Sequence, residues 1–200
     1  MTTLVDRVLA IAAALDDSGI DWAFGEALAL AYATDKPRGT RDIDVNVFVS
    51  SASVARVFAA LPPGVAHSSV DERAVVDSDQ VRLWWDDTPV DLFFAASAFH
   101  MQVAARTRRV PFAGSHVNIL GAEDLAVFEA LFDRSRDWVD IDAMTAAGAL
   151  DRRVAAGRLA SLLDPDDPRI ARLAAVAPNQ VFCPLRPHWS DRFHRVLSTK

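Results

Sequence analysis

Apolar and polar positions follow two rhythms along this chain. Val5, Val8, Leu9, Ile11, Ala12 and Leu15 recur at the spacing of one helical face, which predicts a helix over residues 3–16 with Gly19 as its stop. Ile20-Asp21-Trp22-Ala23-Phe24 switches to the alternation of a short strand. Gly25 then turns the chain, and Glu26 to Ala33, rich in Ala and Leu, is helical. Residues 34–40 are polar and carry Pro37 and Gly39, hence a loop. Asp42-Ile43-Asp44-Val45-Asn46-Val47-Phe48-Val49 has the clearest strand pattern in the sequence. Ser50 to Ser53 caps a helix to about Leu61, stopped by Pro62-Pro63-Gly64.

Two further runs, 80–85 and 88–95, are joined by Asp86-Asp87 and read as a hairpin. A helix over 97–106 and short strands near Val110–Phe112 and Val117–Leu120 follow. Gly121 to Asp124 opens a helix through about Phe132, and Arg136 to Ala147 forms another with Trp138, Ile141 and Thr145 on one face. Short helices near 151–163 and 168–176 complete the pattern, and the proline-bearing stretch from Pro178 is expected to be irregular. The order defines an α+β protein: a mixed core over 1–120, a helical part over 121–177 packed on it, and a tail over 178–200.

Composition narrows the picture. At 200 residues and about half hydrophobic, the chain suits one compact domain with a helical extension. No window approaches the ~18–20 uninterrupted apolar residues of a membrane span. A single cysteine, Cys183, excludes an internal disulfide and points to the cytoplasm. The net charge of −6 is uneven: residues 1–100 hold 7 Lys/Arg against 15 Asp/Glu, and residues 101–200 hold 14 against 12. The acidic first half argues against a broad nucleic-acid face there and is compatible with a cation site or a solvated surface.

Asp42 and Asp44 give that charge a geometry. Residues i and i+2 of a strand share a face, so both carboxylates point one way while Ile43, Val45 and Val47 point into the core. Held ~7 Å apart, the two repel, and a fold accepts that more readily with a cation between them. Asp140-Ile141-Asp142 has the same spacing but lies in a helix, where the side chains diverge. Asp91, flanked by Val90 and Leu92, faces away from the core in the same manner. If its strand lies beside that of Asp42 and Asp44, three hard oxygen ligands suited to Mg²⁺ converge. The bland alternative is a set of strand-end acids exposed to water. Gly25, at a strand-to-helix turn 17 residues before Asp42, places a helix N-terminus with free N–H groups where phosphates could sit.

These residues resemble a known family. Gly25, the run Arg38-Gly-Thr40-Arg41-Asp42-Ile-Asp44-Val and Val90-Asp91-Leu92 are similar to the DNA-polymerase-β-like nucleotidyltransferases. The nearer resemblance is to the AbiEii-type (MenT-like) toxins of type IV toxin–antitoxin systems, whose helical motif resembles Glu123 to Ile141 here. The resemblance implies a mixed β-sheet flanked by helices with a helical C-terminal part, and transfer of a nucleotide from an NTP to a hydroxyl. It implies Mg²⁺ as cofactor, tRNA as acceptor and a cognate antitoxin as partner. By position, Asp42, Asp44 and Asp91 would be metal ligands, and one of them would accept the proton of the attacking hydroxyl. Asp137 or Asp140 would be the acidic residue of the helical motif, Asp140 as a catalytic acid. Gly25, Glu26, Thr40, Arg41, Glu129, Arg134, Arg136 and Asp137 would face the nucleotide. Two positions depart from the family pattern: Glu26 stands where Gly or Ser is usual, and Glu129 where Lys is usual. A carboxylate at either place repels phosphate, unless both point elsewhere and Arg41, Arg134 or Arg136 take over.

Two function classes follow. One is an Mg²⁺-dependent nucleotidyltransferase acting on tRNA or, in a variant, on a small molecule or protein. The other is a binding module on a catalytically weakened fold, motivated by Glu26 and Glu129. Arg106-Thr107-Arg108-Arg109 is either an RNA contact or a solvated face, and the basic tail around His188, Trp189 and His194 is either a contact for RNA or an antitoxin or a flexible terminus. Trp84 and Trp85 point to opposite sides of their strand, so at least one is expected in the core.

Overall fold

The computed structural model describes residues 2–37 and 39–175; the expected tail from 178 onward lies outside them. The order is α1 (Leu4–Ser18), β1 (Trp22–Phe24), α2 (Glu26–Thr34), β2 (Ile43–Val47), α3 (Val54–Ala60), β3 (Val65–Ala66), α4 (Ser69–Ser78), β4 (Gln80–Trp85), β5 (Thr88–Phe94), α5 (Ala98–Val103), β6 (Arg108–Phe112), β7 (Ser115–Ile119), α6 (Ala122–Phe132), α7 (Ser135–Ala146), α8 (Arg152–Ala160) and α9 (Pro168–Ala174). Single 3₁₀ turns precede α3 and follow α5.

The strands form one mixed sheet in the order β3-β4-β5-β2-β1-β7-β6. β2 runs parallel to β5 and antiparallel to β1, and β4–β5 and β6–β7 are hairpins. This is the α+β arrangement that the element order predicts. α1 starts where Thr3 and Asp6 cap each other, the Thr3 hydroxyl accepting from the Asp6 N–H and the Asp6 carboxylate from the Thr3 N–H. It ends at Gly19, whose φ of 65° is cheap only for glycine.

Ile43, Val45, Val47, Val90, Leu92 and Phe94 fill one face of the central strands. β2 corrects a simple alternation, because all five of its residues are buried. Asp44 and Asn46 are 7% and 6% exposed, since later helices cover their face of the sheet. α2 packs on α6 and α7, and α6 also on α8. Trp138, Ile141 and Thr145 are buried together, as their spacing predicts. Trp84 is exposed and Trp85 only half-buried, so neither tryptophan is fully in the core. The β4–β5 turn is pinned from α1: Arg7 reaches Asp86 at 2.9 Å and Asp87 at 3.0 Å and also donates to Thr88. Among the described residues, no helix is long and apolar enough to cross a membrane.

Candidate metal and nucleotide site

The parallel pairing of β2 and β5 sets Asp44 directly opposite Asp91. Asp42 sits just before β2, its carboxylate accepting from the Thr40 hydroxyl. One oxygen from each of Asp42, Asp44 and Asp91 lies within 4.8 Å of the others, the spacing of a cation's ligand shell. The three are not strand-end acids in open water. Burial, reinforced by the charges of Glu26, Asp42 and Asp91, pushes the Asp44 carboxyl up to about 8, with Arg82 opposing. A site that disfavours its own ionised form to this degree is one that a divalent cation would stabilise, and all-oxygen donors fit Mg²⁺.

One cation is already at the site. Arg82 on β4 forks onto Asp91, Nε to Oδ1 at 2.7 Å and Nη2 to Oδ2 at 2.6 Å. Sequence reading missed it, although the signal was present. The two-residue turn pairs Trp85 with Thr88, and that register sets Arg82 opposite Asp91. Arg82 is half-exposed, so its guanidinium can leave the pair for solvent or for an incoming anion.

Gly25 and Glu26 connect β1 to α2 beside the acids. The Gly25 N–H bonds to the Asp44 carbonyl at 3.0 Å, and a Cβ on Gly25 would lie 2.9 Å from the Asn46 amide nitrogen. A side chain here would have to displace the Asn46 amide, so the turn packs tightly on β2. Glu26 follows with φ 28°, a value costly for a residue with a side chain. Its carboxylate turns to the C-terminal helices and accepts from Arg134 Nη2 at 3.3 Å and Arg136 Nη2 at 3.5 Å. Asp137 holds Arg134 from behind, taking its backbone N–H and its Nε, each at 2.9 Å. The same carboxylate therefore caps α7 and aims the guanidinium.

Acids and arginines among these residues line an open cleft of about 680 Å³, in which Glu26, Asp42, Asp44, Asp71 and Asp91 face Arg82, Arg134 and Arg136, whereas Gly25 lines the adjoining inner cavity. Five carboxylates against three guanidiniums leave the cleft net negative. Not every expected residue reaches it. Asp140 is buried on α7, and Asp137 touches the cleft only through its arginines. Arg41 is exposed, and Thr40 serves Asp42. Glu129 is buried on α6 and lines an adjoining inner cavity, not the cleft. The Arg106–Arg109 cluster is not a free basic face, because Arg106 pairs with buried Asp124 and Arg109 lies 3.6 Å from Asp16.

No family model and no curated protein matches this sequence. Solved structures do. The antibiotic-resistance factor ANT(2'')-Ia superposes with a TM-score of 0.50 at 14% identity, over 85% of this chain and 88% of that one. The lincosamide antibiotic adenylyltransferase LnuA, in its lincomycin-bound form, gives 0.50 at 10% identity, over 74% of this chain and 99% of that one. The fold is therefore that of nucleotidyltransferases, a mixed sheet flanked by helices. At such identities the likeness speaks for architecture alone.

Proposed function

We propose that the chain is an Mg²⁺-dependent nucleotidyltransferase that moves a nucleotide from an NTP to a hydroxyl acceptor. The observation that carries this reading is the register of Asp44 against Asp91 with Asp42 beside them, three carboxylate oxygens within 4.8 Å on a nucleotidyltransferase-type sheet. Asp42, Asp44 and Asp91 would hold the metal. Bound there, Mg²⁺ supplies Lewis-acid activation of the attacking hydroxyl and of the phosphate oxygens. The chain's own residues do the rest. Arg134 and Arg136, released from Glu26, bind the triphosphate, with Asp137 keeping Arg134 in place. Arg82 leaves Asp91 for the developing negative charge. The acceptor oxygen bonds to the α-phosphorus, the bond to pyrophosphate breaks, and one of the three carboxylates takes the acceptor's proton.

On this reading Glu26 is compatible with turnover. It faces the cleft, but it is neutralised by two arginines that an incoming triphosphate can take from it. Glu129 lines the inner cavity with Glu26 and Asp44 but not the open cleft where the arginines stand.

Two acceptor readings are supported by different observations. The resemblance to AbiEii-type toxins supports transfer to tRNA in the cytoplasm, under restraint by a cognate antitoxin. The inner cavity beside Asp44 favours a small molecule. Incubation with labelled NTPs, Mg²⁺ and either total tRNA or a panel of small alcohols should give labelled product that disappears in Asp42→Ala. Equal labelling in both proteins, or none with any acceptor, removes the reading.

A further inference from the structure

A second cavity, of about 220 Å³, opens off the cleft and shares Asp44, Phe93 and Phe132 with it. Its walls are mostly apolar, formed by Phe93 and Phe94 of β5, Phe99 of α5, and Leu125, Phe128 and Leu131 of α6, with the acids Glu26, Asp44, Asp79 and Glu129 among them. It is smaller than the roughly 300–1,000 Å³ that encloses a whole drug-sized ligand, so it suits one part of a molecule whose remainder lies in the cleft.

His100 of α5 also lines it and is only 6% exposed. The ring is set between Phe128 and Phe48, with centroids 4.9 and 5.6 Å away. Burial holds its pKa down to about 4, so the imidazole is neutral at pH 7. The Phe94 carbonyl engages one ring nitrogen, whereas Nε2 has no hydrogen-bond partner among the described residues. With the other nitrogen donating to the carbonyl, Nε2 is an acceptor. A buried acceptor without a donor is costly, and one beside an apolar cavity is a recognition point.

We propose that this cavity is the acceptor-side specificity pocket. It takes the compact, non-anionic ring portion of a small-molecule acceptor that donates an N–H or O–H to His100 Nε2, while the reacting hydroxyl lies toward Asp44. Anionic groups are disfavoured here, because they would lose water and meet Glu26, Asp44, Asp79 and Glu129, which also line the cavity. The assignment rests on the reading of the cleft as a nucleotidyl-transfer site.

The test uses indole and 1-methylindole, a matched pair differing in the N–H, measured by ligand-observed NMR on the full chain. Wild type should bind indole roughly 3–10-fold more tightly, the worth of one neutral hydrogen bond. His100→Phe should erase that preference, and Ala96→Trp, a substitution of an exposed residue on the cavity wall, should weaken both ligands. No binding of either ligand, or equal binding of the two to wild type, overturns the proposal. So does displacement of indole by adenosine with a parallel fall in Mg·ATP affinity in His100→Phe, which would make the cavity a base pocket. Loss of the nucleotidyl-transfer reading is distinguishable. Mg·ATP would then fail to bind wild type while the indole preference persisted, overturning the acceptor role but not the recognition chemistry.

Discussion

Two acid–arginine constellations in this molecule are built from the same residue types and do opposite things. On α6, Asp124 is 1% exposed and lies between two guanidiniums, Arg106 Nε at 2.9 Å and Arg158 Nη1 at 2.9 Å. One carboxylate with two cations is closed and satisfied, and it ties the turn after α5 to α6 and α8. In the cleft, five carboxylates share three arginines, and one of the acids, Asp44, is held up to about 8 largely by burial. Acid–arginine proximity is therefore not what marks a site. The mark is a crowding of carboxylates that the side chains leave uncompensated, one of them buried enough to hold its proton, next to cations exposed enough to move.

That contrast can be broken by substitution. The largest effect is expected from Asp44→Asn, which should lower nucleotidyl transfer by on the order of 10²–10³ in a labelled-NTP assay. It should leave the melting temperature at pH 7 no lower, because the amide mimics the protonated acid the site prefers. pH sharpens this prediction. The folded pKa of Asp44 is raised above its ordinary 3.8, so the native state binds more protons than the unfolded chain between about pH 4 and 8. Without Mg²⁺, wild-type stability should fall as pH rises through that window, and the Asp44→Asn variant should lose this slope in urea titrations. If the slope persists, Asp44 is not the strained acid.

Asp124→Asn should do the reverse, costing about 3 kcal/mol in denaturant unfolding, near the low end for a broken buried pair because both arginines keep some access to water. Its activity should decline only as folding declines. Arg134→Ala and Arg136→Ala come next, each weakening Mg·ATP by about tenfold in calorimetry, the size of one charge-assisted hydrogen-bond partner. The smallest effect is Arg82→Met. Freeing Asp91 from an exposed cation should tighten Mg²⁺ by no more than about 5-fold, and weaker Mg²⁺ binding would show that Arg82 organises the acids and does not compete for them.

Much of this was readable in the chain. The strand at Asp42–Val49 and the 80–95 hairpin announce themselves by period two, and carboxylates two apart on a strand must share a face. What covers that face was not readable. Asp44 and Asn46 look like outward positions until α5 and α6, distant in sequence, are laid over them. α4 escaped pattern reading because Ser69 to Ser78 buries only Val75 and leaves Val70 and Val76 exposed, so no apolar stripe exists. The partners of Glu26 lie 108 and 110 residues away, beyond any local rule. The sequence places Asp137 three residues after Arg134, but the capping geometry that makes one the support of the other exists only once α7 is formed. His100 carried no signal at all, because a lone histidine in a helix has no spacing to read.

The turn at Asp86-Asp87, pinned by Arg7, bears on how such a protein changes over generations. β5 is locked to β2, so Asp91 keeps its place whatever the turn does, but the register of β4 depends on turn length. One inserted or deleted residue there would move Arg82 to the opposite face and carry the cation away from the acids without touching any of them. A single codon far from the chemistry can thus add or remove the arginine, and descendants differing only in the length of this turn would differ in how readily their acids accept metal.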